Sequence, residues 1–277
     1  MSIRAGRSNF SLPTLPVEEF PALSGDTLPT AFVLSAADAK TLIDRTRFAI
    51  STEETRYYLN GIYLHALDDD AGGRLRAVAT DGHRLARVEM PLPEAAKDMP
   101  GVIVPRKTVG ELRKLLDNDE GEITISVSET KIRFAVEGLV LTSKVIDGAF
   151  PDYMRVIPKG NDKQADIDNA VFASAVDRVA TISAEKSRSV KLAFELDRVT
   201  LTVRNMEAGQ GVEEVEIGYS EEPFEIGFNP EFLRDGLEGV ASGDVVLKLI
   251  SPLRPGLIEA GDESGFLYLI MPIRLNV

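Results

Sequence analysis

The chain is predicted to be an α+β protein in which one unit is used twice, each copy with two helices packed on antiparallel sheets. Three observations carry this expectation. The order helix, strands, helix, strands occurs twice, with a period of about 130 residues that is far too long for a solenoid. The segment Ile182-Ser183-Ala184-Glu185-Lys186-Ser187-Arg188 echoes Ile50-Ser51-Thr52-Glu53-Glu54-Thr55-Arg56. Most strand-like segments alternate apolar and polar residues, as antiparallel strands with one buried face do.

In the first copy, Ser35 caps a helix with Asp38 in the capping-box position, and Ala39, Leu42, Ile43, Thr46 and Ile50 form its apolar stripe. Lys40 and Arg47 lie on another face. Arg56 to Leu67 reads as strand, with Asn60-Gly61 as a turn or bulge. Asp68 to Gly73 is a hairpin loop without the spacing of a calcium loop. Arg74 to Val78 is a strand that leads into Ala79-Thr80-Asp81-Gly82-His83-Arg84-Leu85-Ala86, where Asp-Gly marks a tight turn. Val102 to Val104 is a strand, and Pro105 opens the next helix. On that helix Val109, Leu112, Leu115 and Leu116 face the core. Arg106, Lys107, Gly110, Arg113 and Lys114 form the opposite stripe, with no acid among them. Strands Glu122 to Val127, Lys131 to Val136 and Leu139 to Val145 follow. Phe150-Pro151-Asp152-Tyr153 breaks the pattern, and a linker is expected to run to about Asn169.

The second copy opens with a helix through Phe172, Val176 and Val179. Strands are expected at Val190 to Glu195, Arg198 to Asn205, Glu213 to Tyr219 and Phe224 to Phe228. Asn229-Pro230 starts another helix through Leu233, Leu237 and Val240. Asp244 to Ile250, Leu257 to Ala260 and Phe266 to Met271 close the sheet. Before the first copy, Phe10, Leu12 and Leu15 are expected to dock on a core as an edge strand or linker.

Composition narrows the function. The 277 residues are 44% hydrophobic, enough for a full core. There is no cysteine, which fits a reducing compartment, and no run of about 18 apolar residues that would span a membrane. A cytoplasmic location is expected. The formal charge is −13, from 44 Asp and Glu against 31 Lys and Arg, which disfavours ordinary tight binding to duplex DNA. No phosphate loop, dinucleotide fingerprint, zinc-protease motif or nucleophile elbow is present. Gly261-Asp262-Glu263-Ser264-Gly265 only resembles the last of these. With two histidines and no cysteine there is little for a catalytic triad, and neither a metal nor a cofactor is expected. The basic helix stripe is the best nucleic-acid signal in an otherwise acidic chain.

Taken together, Arg56-Tyr57-Tyr58-Leu59-Asn60-Gly61, Ala79-Thr80-Asp81-Gly82-His83-Arg84-Leu85, Phe150-Pro151-Asp152-Tyr153 and Met271-Pro272-Ile273-Arg274-Leu275 resemble the bacterial DNA polymerase III β subunit, the sliding clamp. Ile273 stands where methionine is common, and Asn276-Val277 extend past the usual end. The family carries three copies of the unit and closes head-to-tail as a two-subunit ring around double-stranded DNA. The resemblance covers the second and third copies. Residues 29–149 are expected to be the middle clamp domain and 150–277 the C-terminal one. Residues 1–28 would be a remnant of the first domain and its linker.

The resemblance implies a non-catalytic processivity factor with a peptide-binding pocket between domains. Carried over position by position, the pocket uses Thr80, Gly82, His83, Arg84, Leu85, Pro151, Arg155, Val156, Leu253, Leu269, Met271, Pro272, Ile273 and Arg274. An apolar groove with polar edges suits a short peptide, and Arg84 and Arg155 are expected to take carboxylates or carbonyls from it. The implied partners are the polymerase III α subunit, the clamp loader, and other polymerases and repair proteins with short binding motifs. The implied DNA-facing residues are Lys40, Arg45, Arg47, Arg106, Lys107, Arg113 and Lys114 in the first copy. In the second copy they are Arg178, Lys186, Arg188 and Arg234. A loop of Arg56, Tyr57 and Tyr58 joins them. If the first domain is absent, the chain keeps the pocket as an interaction module but cannot encircle DNA.

Overall fold

The computed structural model describes residues 1–19, 28–67, 72–118, 121–182, 189–205, 207–240, 243–261 and 265–275. The expected hairpin loop at 68–71, the nucleophile-elbow lookalike at 262–264 and most of the echo at 183–188 lie outside them.

A hairpin of β1 (Ser2–Ala5) and β2 (Ser8–Ser11) comes first. Phe10, Leu12 and Leu15 are all exposed, so the expected docking on a core is corrected. The first repeat then runs β3 (Thr30–Ser35), α1 (Ala36–Asp44), β4 (Gly61–Leu67), β5 (Arg74–Thr80), β6 (Arg84–Pro91), β7 (Val102–Pro105), α2 (Arg106–Leu115), β8 (Glu122–Val127), β9 (Lys131–Val136) and β10 (Leu139–Lys144). The second runs β11 (Lys163–Asp168), α3 (Asn169–Ala180), β12 (Val190–Glu195), β13 (Arg198–Asn205), β14 (Gly209–Glu216), β15 (Phe224–Phe228), α4 (Pro230–Glu238), β16 (Asp244–Leu249), β17 (Gly256–Ala260) and β18 (Phe266–Ile270). The same order of elements is thus used twice, and the predicted α+β class with antiparallel sheets holds.

Each repeat contributes two four-strand groups, ordered β7-β4-β5-β6 and β3-β8-β9-β10 in the first, β15-β12-β13-β14 and β11-β16-β17-β18 in the second. One group from each repeat fuses through β6 and β18 into an eight-stranded sheet. Phe266, Tyr268 and Ile270 on β18 face the helix side with Ala86 and Val88 of β6. Their register partners across the joint are Phe266 with Val88, Tyr268 with Ala86 and Ile270 with Arg84. Alternation sends Leu267, Leu269, Leu85 and Arg87 to the opposite face.

Local chemistry sets the helix boundaries. The Ser35 hydroxyl accepts from Asp38 N at 3.0 Å, and Asn229 Oδ1 accepts from Glu231 N at 2.9 Å with Pro230 at the first turn of α4. The sequence stripe extended α1 too far. The helix stops at Asp44, and Thr46 turns back to donate its hydroxyl to Leu42 O at 2.5 Å. Thr46 and Ile50 are still buried, at the following turns. The strand expected from Arg56 begins only at Gly61, because Glu54–Leu59 is a 3-10 helix. Gly61 is not a hairpin turn either. A β-carbon there would collide with the Val104 carbonyl of β7, so the glycine serves a close approach of two backbones. The expected linker is also shorter, since β11 occupies its end, with Ala165 and Ile167 buried between exposed polar neighbours.

Candidate functional site

The Asp81-Gly82 turn is held by its own side chains. The Thr80 hydroxyl donates to Arg84 O at 2.6 Å and accepts from Gly82 N at 3.1 Å. Asp81 Oδ1 accepts from His83 N at 2.9 Å and Arg84 N at 3.1 Å. Gly82 has φ +92°, and a β-carbon would sit 2.5 Å from Arg56 Nη1. The turn therefore abuts the 3-10 segment that carries Arg56 and Tyr57.

Arg84 does not reach out as the sequence reading expected. Its guanidinium donates to Asp81 Oδ2 at 3.0 Å, to Phe48 O at 2.7 Å, and to Asp235 Oδ2 of α4. It stacks over Phe232 at 4.3 Å and lies 5.7 Å from the Phe48 ring. Burial opposes its charge, and Tyr268, Asp235 and Asp81 outweigh that, leaving its pKa above the ordinary value. With these partners it is a strut between the repeats, and the role of holding a partner's carboxylate is corrected. Burial pushes the nearby Tyr268 phenol well up. Its hydroxyl donates to Phe232 O at 2.8 Å.

The terminal stretch does meet the turn. Leu269 pairs with Leu85 and Ile270 with Arg84, while Met271 N donates to His83 O at 2.9 Å. Ile273 then bridges to Gly227 of β15. On the face opposite the helices, Val78, Leu85, Leu257, Leu267, Leu269 and Tyr153 form a small core of their own, joined by Tyr63, Phe150 and Ile157. The linker between repeats lies over this core, with Tyr153 pointing in and Pro151, Arg155 and Val156 exposed on top. Arg155 lies 3.6 Å from Asp152 and stays 83% exposed, so it remains available to a ligand. Met271 is 40% exposed, Arg274 is exposed, and Pro272 is half-buried. Leu253 lies on the turn between β16 and β17, at the sheet end where Gly256 pairs with Ile270.

Of the predicted pocket residues, Leu85 and Leu269 lie in this apolar floor, His83 and Met271 are bonded to each other through their backbones, and Pro151, Arg155 and Val156 are exposed on the linker. Sequence reasoning left Val78, Tyr153, Leu257 and Leu267 out of that floor. Strand alternation could have found the three on strands, because Val78 shares a face with Thr80, and Leu267 with Leu269, whereas Tyr153 lies on a 3-10 turn.

The basic residues are less free than the sequence implied. Arg113 pairs with Asp44 at 2.6 Å and with Asp117, whose carboxyl it holds below the usual range. Lys114 pairs with Glu111 at 2.9 Å, Arg47 with Asp44 at 3.2 Å, and Lys40 with Asp117 at 3.9 Å. The stripe without acids is therefore corrected: Glu111 on the same helix, Asp117 just past its end and Asp44 of α1 pair two of its four cations, Arg113 and Lys114. Arg178 pairs with Glu213 at 2.7 Å, and Arg234 lies 3.5 Å from Glu238 and 3.9 Å from Asp177. Arg56 is held by Glu53 at 2.6 Å, and Arg45 lies 6.0 Å from the Phe266 ring. Among the described residues, Arg106 and Lys107 make no ion pair. Arg106 and Arg47 line a cleft of about 360 Å³ with Phe48, Ile50, Val109 and Gly110. Tyr57 is 53% exposed beside Tyr58. Lys186 and Arg188 lie outside the described residues. No group of three or more His, Cys, Asp or Glu side chains among the described residues could hold a metal ion, and no described helix is long and apolar enough to cross a membrane.

Comparison with known proteins agrees with this geometry. Residues 33–152 match the family described as DNA polymerase III beta subunit, central domain, and residues 154–274 match its C-terminal domain. The chain is 56% identical over 273 residues to the beta sliding clamp of Caulobacter vibrioides, spanning 99% of this chain and 73% of that one. It is 38% identical over 275 residues to the beta sliding clamp of Escherichia coli K12, spanning 99% and 74%. A solved Caulobacter crescentus beta sliding clamp superposes with a TM-score of 0.91 at 55% identity, over 99% of this chain and 73% of that one. A sliding clamp from Bartonella birtlesii bound to griselimycin gives 0.89 at 48% identity, over 99% and 74%. The chain therefore belongs to the DNA polymerase III β subunit family, the bacterial sliding clamps, and spans that family's central and C-terminal domains.

Proposed function

We propose that the chain works as sliding-clamp machinery. It would hold short apolar motifs of the polymerase III α subunit, the clamp loader, other polymerases and repair proteins in the groove, while its helices face encircled double-stranded DNA. In this reading residues 29–149 and 150–277 are the two clamp domains, and the ring is a head-to-tail assembly. The observation that carries it is the groove: a turn from one repeat and the terminal strand of the other, joined at Leu85 and Leu269, roofed by the linker. The action is tethering without catalysis, by raising the effective concentration of a polymerase at its template.

A fluorescent peptide carrying a short apolar clamp-binding motif is expected to bind with a Kd on the micromolar scale of small linear motifs. The Met271→Ala, Arg155→Ala double variant should lose at least about tenfold, since both side chains are exposed at the groove. Undiminished binding by that variant, shown by anisotropy titration, would remove the groove.

A second reading, a protein-interaction module that does not encircle DNA, draws on the carboxylates that pair most of the basic side chains. Retention on closed circular DNA decides between them. A ring stays on circles and leaves after linearisation, whereas a module leaves both equally.

A further inference from the structure

We propose that Tyr153, pinned through its hydroxyl by His65 and Arg76, is the positioning residue of the groove. It would fix the Pro151 and Val156 wall without its hydroxyl touching a bound peptide. The inference rests on the groove reading above and goes beyond it in naming what sets the groove's shape.

The linker crosses the outer sheet face from Ile146, whose N–H donates to Ile103 O at 2.9 Å, to Asn161, whose amide donates to Lys248 O at 2.8 Å and Pro255 O at 3.1 Å. Among the described residues, the backbone bonds of the turn between these anchors are internal: Arg155 N to Asp152 O and Val156 N to Tyr153 O. Its placement over the sheet therefore falls to side chains. Phe150 stacks on Tyr63 at 4.9 Å, and Tyr153 is 6% exposed in the floor beside Leu85 and Leu269.

The polar end of Tyr153 is fully directed. His65 Nδ1 lies 3.1 Å from Ala66 O, a pure acceptor, so Nδ1 carries the proton and Nε2 accepts. The Tyr153 hydroxyl, 3.0 Å away, donates to Nε2 and accepts from Arg76 Nη1 at 3.3 Å. Arg76 is itself buried and donates to Glu89 at 2.6 Å, with Arg87 at 3.9 Å from the same carboxylate. The chain of donors runs one way, from Arg76 through Tyr153 to a neutral His65. Protonated His65 would lose its acceptor and stand beside Arg76. Tyr63 stacks on it from its own strand. Arg76 faces it from β5, with Glu89 and Arg87 of β6 behind, and Tyr153 faces it from the linker. Burial first, and then Arg76, hold His65 below its ordinary pKa, so the neutral form prevails at pH 7. Because its folded pKa is depressed, protonation, and with it the loss of the anchor, sets in only below that ordinary value.

The test titrates the full chain with the fluorescent clamp-motif peptide. His83 is the other of the chain's two histidines and lies at the groove, so every chain in the pH comparison carries His83→Gln, a wild-type chain is titrated alongside, and the dependence on pH is what is read. At pH 7.5, Tyr153→Phe keeps the ring in the floor and removes both hydroxyl bonds. It is expected to weaken peptide binding about tenfold while the chain stays folded by circular dichroism. The Tyr153-containing chain should lose affinity as pH falls below the ordinary histidine range, and His65→Gln and Tyr153→Phe should flatten that fall. Equal affinity of Tyr153→Phe, or the same fall in all three chains, overturns the inference and leaves the groove standing. A wild-type chain that binds no peptide at any pH removes the groove reading and this inference together.

Discussion

Replacing Arg84 with alanine is expected to destabilise the chain by about 3 kcal/mol, the lower end of what breaking a buried ion pair costs. The guanidinium serves Asp81, Asp235 and the Phe48 carbonyl at once, and it fills the space between the Phe232 and Phe48 rings. Alanine leaves Asp235 facing Tyr268 and Asp81 without a cation, and it opens a gap where α4 meets the first repeat. Lysine keeps the charge but cannot stack or divide its donors among three acceptors, so Arg84→Lys should recover only part of the loss. Urea denaturation followed by circular dichroism measures both. A midpoint shift in Arg84→Ala no larger than that of an exposed pair such as Lys114→Ala would refute the strut.

The second large effect is expected at Gly236 on α4. A β-carbon there would run into the Tyr268 ring, which is fully buried and carries the joint from the β18 side. Gly236→Leu should destabilise by about 3 kcal/mol, the upper end for overpacking, despite the better helix propensity of leucine. Tyr268 sits between Leu267 and Leu269 on the strand, so a displaced ring drags the groove floor with it. Peptide affinity should therefore fall together with stability. An intact unfolding midpoint in Gly236→Leu would show that the ring moves aside freely, contrary to its packing against Phe48 at 5.7 Å and its bond to Phe232 O.

The repeat was legible because its signals are local. Strand alternation, the Asn229-Pro230 helix start and the Asp81-Gly82 turn each act over a few residues. The Glu54–Leu59 segment was misread because its tyrosines favour strands, while the chain there must turn to bring Ser51 N onto Leu59 O. β11 was missed because its short apolar pattern, Ala165 and Ile167, is masked by lysine and aspartates. At the groove, the resemblance supplied the exposed rim, while the floor depended on pairings such as Leu269 with Leu85, far apart in the chain. The same distance hid the role of Arg84, whose main anion stands 151 residues away. The basic stripe looked bare because Asp44 belongs to another helix and Asp117 follows just beyond the helix end. A charge pattern read along one helix cannot count the acids that packing brings to it.

Those carboxylates have a consequence for motion. On the proposed reading, a phosphate that approaches Lys114 or Arg178 finds the cation already engaged, and must exchange places with Glu111 or Glu213. Exposed pairs are worth about 0–1 kcal/mol, so each exchange changes the free energy by an amount comparable with thermal energy. The energy profile along the duplex is then nearly flat. Friction stays low, and the protein drifts along the helix axis by diffusion while nothing in the profile halts it at one sequence.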